Sequence, residues 1–236
     1  MHRAERAVIM AAGVGDRLKP LTDNIPKPLL RVGGTPMIET MIQGFLHNGI
    51  CEIYIVVGHL KEYFEYLSTK YKNVHLLENQ NYAVHNNISS LYVARNFLEC
   101  AVICDGDQIL HNPRILHPFF EYSGYASLWV DEVHGEWLQQ VDDDGFVIDC
   151  NRLGGKAGWQ LFSVSFWTAA DGARLKRHLE ELYPRHNQCY WDDIPMFIKN
   201  REYRLKIRPI QNGDITEVDT LHEYEIAANK YEEGQK

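Results

Sequence analysis

Apolar residues in the first half of this chain come in short, nearly unbroken runs. Val8-Ile9-Met10, the stretch EIYIVV at 52–57, residues 74–77 and residues 101–104 are each too short for a helix. Their bounding glycines and polar residues mark them as strands buried on both faces. Between the first two runs, Met37, Ile38, Met41, Ile42, Phe45 and Leu46 keep helical spacing. Thr35-Pro36 predicts the start of that helix, with proline at its first position, and Gly49 predicts its end. Further helices are expected over 61–71 and 89–98. The resulting order, β-α-β-α-β-α-β, argues for a mostly parallel sheet covered by helices on both faces. Ligands of such sheets bind at the carboxyl ends of the strands.

The second half reads differently. A helix is expected near 113–122, followed by a strand at 125–130. Strands at 137–141 and 146–150 flank the turn Asp142-Asp143-Asp144-Gly145 and read as a hairpin. A strand at 159–167, helices at 169–182 and 190–199, strands at 203–208 and 215–218, and a closing helix over 221–231 complete the pattern. The last five residues, EEGQK, read as a frayed tail. No linker, repeat or low-complexity tract interrupts the 236 residues. The expectation is therefore one domain over 1–236, with a Rossmann-like parallel half (1–123) and an antiparallel lid or insertion in the other (124–236).

The net charge of −8 argues against a nucleic-acid or anionic-membrane partner, both of which need a basic face. An anionic ligand would have to be gripped by local cations. Five cysteines at 51, 100, 104, 150 and 189 include no C-x-x-C pair, which excludes a disulfide framework or structural zinc site and suits a reducing cytoplasm. The eleven histidines are scattered without an H-E-x-x-H pattern, as solvated surface residues are. No stretch approaches the roughly 20 apolar residues of a membrane span, and the first run is too short for a signal sequence, so a soluble intracellular protein is expected.

Candidate chemistry concentrates in the loop VIMAAGVGDRLKPLTDNIPKPLL (8–30). The first strand stops at Ala11 and Ala12. Gly13 and Gly15 then allow positive φ and close approach of backbone N–H groups to phosphate oxygens, and Arg17, Lys19 and Lys27 supply positive charge. It is no Walker A loop, because no G-K-[ST] follows, and Leu18 stands where a G-x-G-x-x-G would need its third glycine. The 101–104 strand runs into Asp105-Gly106-Asp107, where carboxylates suit a nucleotide-bound Mg²⁺. Asp107 is the expected ligand and Asp105 its orienting neighbour, against the alternative of a cap. Asp219, ending the 215–218 strand, is the expected second carboxylate, with an N-cap of the last helix as its other reading. In the asparagine-rich loop ENQNYAVHNNI (78–88) and just beyond it, Asn87 and Ser90, with Tyr82 behind, could read a pyrimidine edge; an ordinary turn with a helix cap is the alternative. Glu136-Trp137 and Tyr190-Trp191-Asp192-Asp193 pair aromatic faces with carboxylates, the chemistry that holds a quaternary ammonium, although single tryptophans are more often core. The Glu-Lys-Pro strand motif of sugar sites is absent.

The glycine loop resembles the signature of the nucleotidyltransferases that make sugar nucleotides and CDP-alcohols, G-x-G-x-R-[LF]-x-P-[LM]-T followed by P-K-[PA]-[LM]. Gly13, Gly15, Arg17, Leu18, Pro20, Leu21, Thr22, Pro26, Lys27, Pro28 and Leu29 occupy its fixed positions. Over nearly the whole chain the sequence is similar to the bacterial CTP:phosphocholine cytidylyltransferases of the LicC type. Gly58-x-Leu60-Lys61-Glu62-x-Phe64, Asn86-Asn87, Asp105-x-Asp107, Glu136-Trp137, Lys156-Ala157-Gly158, Val164-Ser165-Phe166-Trp167 and Tyr190-Trp191-Asp192 carry that likeness in order. Ser89 departs from it, standing where an aromatic residue is expected.

The resemblance implies a nucleotide-diphospho-sugar transferase-like fold acting on CTP and phosphocholine to give CDP-choline and diphosphate, as a monomer or homodimer. It implies that Gly13 and Gly15, with Arg17, grip the triphosphate and that Ala11, Ala12, Tyr82, Asn87, Ser90 and Asp105 line the nucleotide site. Lys27 would neutralise charge at the α-phosphate, Asp107 and Asp219 would hold Mg²⁺, and Lys156 would hold the incoming phosphate. Glu136, Trp137, Tyr190, Trp191 and Asp192 would hold the choline head, with Asp192 also able to assist the metal. Three other readings stand beside it. The acceptor could be phosphoethanolamine or 2-aminoethylphosphonate, whose primary amine favours carboxylates over aromatics, or a sugar 1-phosphate. A non-catalytic nucleotide sensor is the third, against which the intact Arg17, Lys27, Asp107 and Asp219 argue.

Overall fold

The computed structural model describes residues 1–233. Its first half comprises β1 (His2–Arg3), β2 (Arg6–Ala11), β3 (Arg31–Val32), β4 (Thr35–Pro36), α1 (Met37–His47), β5 (Glu52–Val57), α2 (Glu65–Lys70), β6 (Val74–Glu78), α3 (Ile88–Val93), β7 (Ala101–Asp105), β8 (Gln108–Leu110) and β9 (Phe119–Phe120). The second half adds β10 (Gly124–His134), β11 (Leu138–Val141), β12 (Val147–Asn151), β13 (Gly154–Trp167), α4 (Ala169–Leu182), β14 (Arg208–Ile210), β15 (Ile215–Glu217) and α5 (Leu221–Glu233). Of the tail EEGQK, Glu232 and Glu233 belong to α5, and residues 234–236 lie outside the described residues.

Four strands in the order β7-β2-β5-β6 form the parallel centre of a nine-stranded sheet. This is the Rossmann-like α/β class that the nearly unbroken apolar runs predict. β2 shows why those runs are nearly unbroken. Ala7, Ile9 and Ala11 point into one core with Met41, Ile42 and Phe45 of α1, and Val8 and Met10 point into another with Leu91 of α3 and Leu175 and Leu179 of α4. The second half joins the same sheet. β13 pairs antiparallel with β7 on one edge and with β10 along the other, and the hairpin β11-β12 extends it. β10 and β13 run longer than the expected 125–130 and 159–167, because each continues past the core as a two-stranded arm.

Proline accounts for most of the differences from the sequence expectation. The helix expected over 113–122 is a 3₁₀ turn, Pro113–Leu116, followed by β9, which pairs with β1. Pro118 removes a helical donor there and disfavours helical backbone at His117. Pro195 lies in a π turn, Ile194–Ile198, where a regular helix over 190–199 was expected. Pro36 occupies the N-cap position of α1, while Thr35 and Pro36 pair with β3. The 61–71 and 89–98 segments begin or end in 3₁₀ turns at Lys61–Phe64 and Arg95–Phe97. In the 203–208 segment only Arg208 enters a strand, and Lys206 makes an isolated bridge to Phe146.

Trp191 belongs to the second core. It is 1% exposed, stacks on Tyr125 at 6.1 Å and meets Trp167 edge-on at 5.8 Å. Truncation there opens a cavity that this interlocked aromatic cluster cannot collapse to fill. We therefore expect Trp191→Ala to cost roughly 3–5 kcal/mol of stability in chemical denaturation. A loss below about 1 kcal/mol would mean that the ring is not part of the core.

Candidate active site

The parallel register of β2 and β7 places the two chemically richest segments side by side. Met10 pairs with Asp105, and Gly106 N donates to Met10 O at 2.9 Å, so the glycine loop and the Asp105-Gly106-Asp107 turn leave the sheet together. Leu18, Leu30 and Val32 pin the loop to a small core with Met37, Ile109, Val218 and Ala227. Gly15 has φ 72°, and a Cβ there would come within 3.0 Å of Thr22 Cγ2 and 3.1 Å of Lys27 Cβ. Thr22 Oγ1 donates to Gly15 O at 2.9 Å, which locks the turn in that conformation. At Gly13 no atom lies within 4 Å of where a Cβ would stand, so its backbone faces open space.

A second pairing brings the two metal candidates together across 112 residues of sequence. β8 starts directly after Asp107, β15 ends two residues before Asp219, and the two strands pair antiparallel with Gln108 opposite Glu217. Lys27 Nζ lies between the carboxylates, 2.6 Å from Asp107 Oδ2 and 2.8 Å from Asp219 Oδ1. Arg17 reaches the same Asp219 oxygen at 2.7 Å. Burial alone would push the Lys27 ammonium down, but the two carboxylates outweigh it and hold its pKa above the ordinary lysine value. Asp107 Oδ1 is buried with no hydrogen-bond partner among the described residues. Asp219 is not the cap of α5. Thr220 Oγ1 accepts from Glu223 N, while Glu223 Oε2 accepts from the backbone N–H of Asp219 and Thr220, forming a capping box. The Asp219 side chain is thereby left for the site.

Two adjoining cavities of about 280 Å³ each open here and share Met10, Gly13 and Asp107. Ala11, Gly13, Gly15, Arg17, Lys27 and Asp219 line the first. Ala12, Tyr82, Asn87, Ser90 and Asp105 line the second, together with His85 and Ser89. Every expected nucleotide-side residue thus faces one of the two. Tyr82 packs against Gly58, where a Cβ would lie 2.6 Å from its ring. Asn79 donates to Ser89 Oγ and Ser90 Oγ, fixing that wall, and Asn87 Oδ1 accepts from Trp191 N at 2.9 Å. Asp105 carries a carboxyl raised well above the usual range by burial and then by Asp107 and Asp192.

The expected cage for a cationic head group is only partly assembled. Trp137 meets Tyr190 edge-on at 6.1 Å and Phe197 at 5.4 Å. Trp191 is a correction: its ring belongs to the core, and only its backbone N–H reaches toward the site, through Asn87. A cation of the chain itself occupies the aromatic cluster. The Arg152 guanidinium lies 4.2 Å from the Phe197 ring centre and 5.5 Å from that of Trp137, and it is ion-paired with Asp193. Lys156 is exposed on β13 opposite Glu132 and lines neither cavity, so the structure does not bring it to the site. Glu136 does approach. Its carboxyl is raised by burial and then by Asp219 and Glu223, with Arg17 opposing.

Sequence reasoning missed Glu217 and Arg152. Burial pushes the Glu217 carboxyl well above its ordinary value, and Asp107 and Asp219 push it further. Strand periodicity held the signal, since Glu217 precedes Asp219 by two and shares its face. Arg152 left no local signal, because its partners Trp137, Asp193 and Phe197 lie in other segments of the chain.

Asp192 titrates near neutrality. Burial raises its carboxyl to about 7, Tyr125 OH opposes this by donating to Oδ1 at 2.8 Å, and Asp193 adds to the rise. A folded-state value above the ordinary aspartate value means that the neutral form is preferred in the fold. That stabilisation is complete below the ordinary value and is lost as pH rises through about 7. Asp192→Asn keeps the acceptor for Tyr125 and cannot ionise. Its unfolding midpoint should therefore gain on wild type as pH rises from about 5 to about 8.5, and a constant difference in thermal melts would refute the assignment.

Residues 6–115 match the family described as Nucleotidyl transferase. The chain is 38% identical over 223 residues to a 2-aminoethylphosphonate cytidylyltransferase of Lancefieldella rimae, covering 92% of this chain and 89% of that one. It is 34% identical over 223 residues to a choline-phosphate cytidylyltransferase of Streptococcus pneumoniae, covering 93% and 95%. The solved structure of the CTP:phosphocholine cytidylyltransferase LicC from that organism superimposes with a TM-score of 0.87 at 34% identity, over 98% of this chain and 99% of that one. An inositol-1-phosphate CTP transferase from T. maritima shares the fold at a TM-score of 0.79 and 16% identity. The chain belongs to the nucleotidyl transferase family and, within it, to the cytidylyltransferases that include LicC.

Proposed function

We propose that this enzyme transfers the cytidylyl group of CTP to phosphocholine, releasing diphosphate. The observation that carries the reading is the position of Lys27, buried between Asp107 and Asp219 where the glycine loop meets the amide-lined cavity. Chain-long similarity to the choline-phosphate enzymes supports the acceptor. In the reaction a phosphocholine oxygen attacks the α-phosphorus in line. The new P–O bond forms as the bond to the β-phosphate bridge breaks, and diphosphate leaves with that electron pair. Such chemistry needs positioning and charge neutralisation more than acid–base catalysis.

Gly13 and Gly15 offer backbone N–H groups to the triphosphate, Arg17 adds a mobile cation, and Lys27 faces the α-phosphate as charge builds there. Asn87 and Ser90 border the base, and Tyr82 closes that wall. Asp107 and Asp219 fit Mg²⁺, which when bound supplies positive charge to the phosphates: they are hard oxygen donors, and Asp107 Oδ1 is a buried acceptor left without a partner. Trp137 and Tyr190 offer aromatic faces to the ammonium, with Asp192 and Glu136 as counter-charges. Lys156 can serve the incoming phosphate only if the β10-β13 arm bends toward the site. Five unpaired cysteines suit a reducing compartment, and the enzyme is read as cytoplasmic, acting on small molecules as a monomer or homodimer.

A second reading, 2-aminoethylphosphonate as acceptor, is favoured by the 38% relative and by an aromatic cluster already filled by Arg152 while two carboxylates stay near the site. Steady-state assays with both acceptors separate the two, and phosphocholine should show the higher kcat/KM. Trp137→Ala should then raise the KM for phosphocholine roughly 5- to 30-fold, the loss of a partly desolvated cation–π contact. If 2-aminoethylphosphonate gave the higher kcat/KM, the acceptor assignment would be reversed.

For the chemistry itself, Lys27→Ala should lower kcat by about 10²–10³-fold, as removal of a preorganised transition-state charge does. Diphosphate release at saturating CTP and Mg²⁺ measures it. Near-normal turnover would remove Lys27 from the mechanism.

A further inference from the structure

A cavity of about 390 Å³ lies away from the site just described. Its walls combine Arg114, Lys206 and Arg208 with Phe120, Tyr122 and Ile207, and one carboxylate, the exposed Glu121, is present. Among the described residues none of the three cations is in an ion pair, in a chain whose net charge is −8. The charges of Lys206 and Arg208 are instead set against rings and backbone. The Arg208 guanidinium stacks 3.7 Å from the centre of Phe166 and donates to His117 O at 3.2 Å, and Lys206 Nζ lies 5.7 Å from the Tyr122 ring.

A guanidinium taken partly out of water with no counter-ion is costly, and burial alone pulls the Arg208 pKa down to about 10. The missing component is negative charge. Apolar surface from Ile115, Phe120, Ile207 and Ile210 fills the rest of the cavity, so the complementary ligand carries an anion at one end and an apolar or aromatic body at the other. A phosphate group suits Arg and Lys together, because the guanidinium fork binds two oxygens while the ammonium adds a point charge.

The cavity is also wired to the catalytic aspartates. One wall, Pro113–Leu116, continues from β8, which starts after Asp107. The other, β14, continues through residues 211–214 into β15 and Asp219. The two walls are joined on the way, by His111 N and Asn112 N donating to Asp214 O and by Asn112 Nδ2 donating to Asp214 Oδ1 at 2.8 Å.

We propose that this cavity is an effector site for a small phosphomonoester with an apolar body, separate from the substrate sites. An occupant pulls on both strands that set the Asp107–Asp219 spacing, and so alters turnover without entering the active site.

Phenyl phosphate and inorganic phosphate are the probes, used with the full-length chain and with an Arg114→Gln/Lys206→Gln variant. Both substituted side chains sit on the cavity rim and take no part in the catalytic site, so the variant should fold and keep the basal kcat and the KM for CTP. By titration calorimetry phenyl phosphate should bind wild type more tightly than inorganic phosphate does, and the variant should lose about tenfold or more in affinity. At saturating substrates phenyl phosphate should change the kcat of wild type but not that of the variant. Affinity unchanged in the variant would overturn the proposal, because two of the three cavity cations would then contribute nothing to binding. An unchanged wild-type kcat at saturating phenyl phosphate would overturn it as an effector site. The binding readout does not depend on which acceptor the enzyme uses, so it stands or fails separately from the proposed reaction.

Discussion

The ion pairs of Lys27 with Asp107 and Asp219 are the constraint around which the rest of the structure is arranged. Three charges from three distant segments meet at one point, and only one of them, Lys27, is buried. A buried charge that lost its partner would cost about 3–5 kcal/mol, so the chain must deliver all three together. Three separate devices do this. The parallel register of β2 with β7 delivers Asp107, the β8-β15 pairing delivers Asp219, and the prolines and glycines of the loop deliver Lys27. The Thr220–Glu223 capping box adds a fourth control, because it satisfies the first turn of α5 without using the Asp219 carboxylate. Burial, with the like charge of neighbouring carboxylates added to it, pushes Asp105, Glu136 and Glu217 toward their neutral forms.

Legibility in the sequence followed the range of the physics. Gly15, Thr22, Pro26 and Pro28 act through local backbone geometry, and the loop they specify could be read directly. The parallel centre was equally legible, since β2 buries both faces and shows it as an unbroken apolar run. Asp107 and Asp219 could be named because each ends a strand, although their meeting depends on β8 and β15, whose three-residue lengths leave little pattern. Trp191 failed for the opposite reason. Its neighbours Tyr190 and Asp192 do face outward or toward the site, but a ring's destination is set by Tyr125 and Trp167, which are distant in sequence. The expected helices at 113–122 and 190–199 failed where Pro118 and Pro195 outweighed apolar spacing.

Arg152 is where sequence and structure diverge most in meaning. Trp137, Phe197 and Tyr190 form an aromatic cluster of the kind that suits a cationic head group, and a guanidinium fills part of it. Arg152 is roughly half exposed, with a side chain long enough to swing into water while its Asp193 partner stays behind. A trimethylammonium entering the cluster therefore competes with an internal cation, and its net gain is the difference between two cation–π interactions rather than the whole of one. A primary amine gains differently. It can donate hydrogen bonds to Asp192 or Glu136, whose carboxyls burial raises, without evicting Arg152. On the proposed reading, selectivity between the two acceptor classes includes the energy needed to displace one arginine, a contribution that substitution of Arg152 would change.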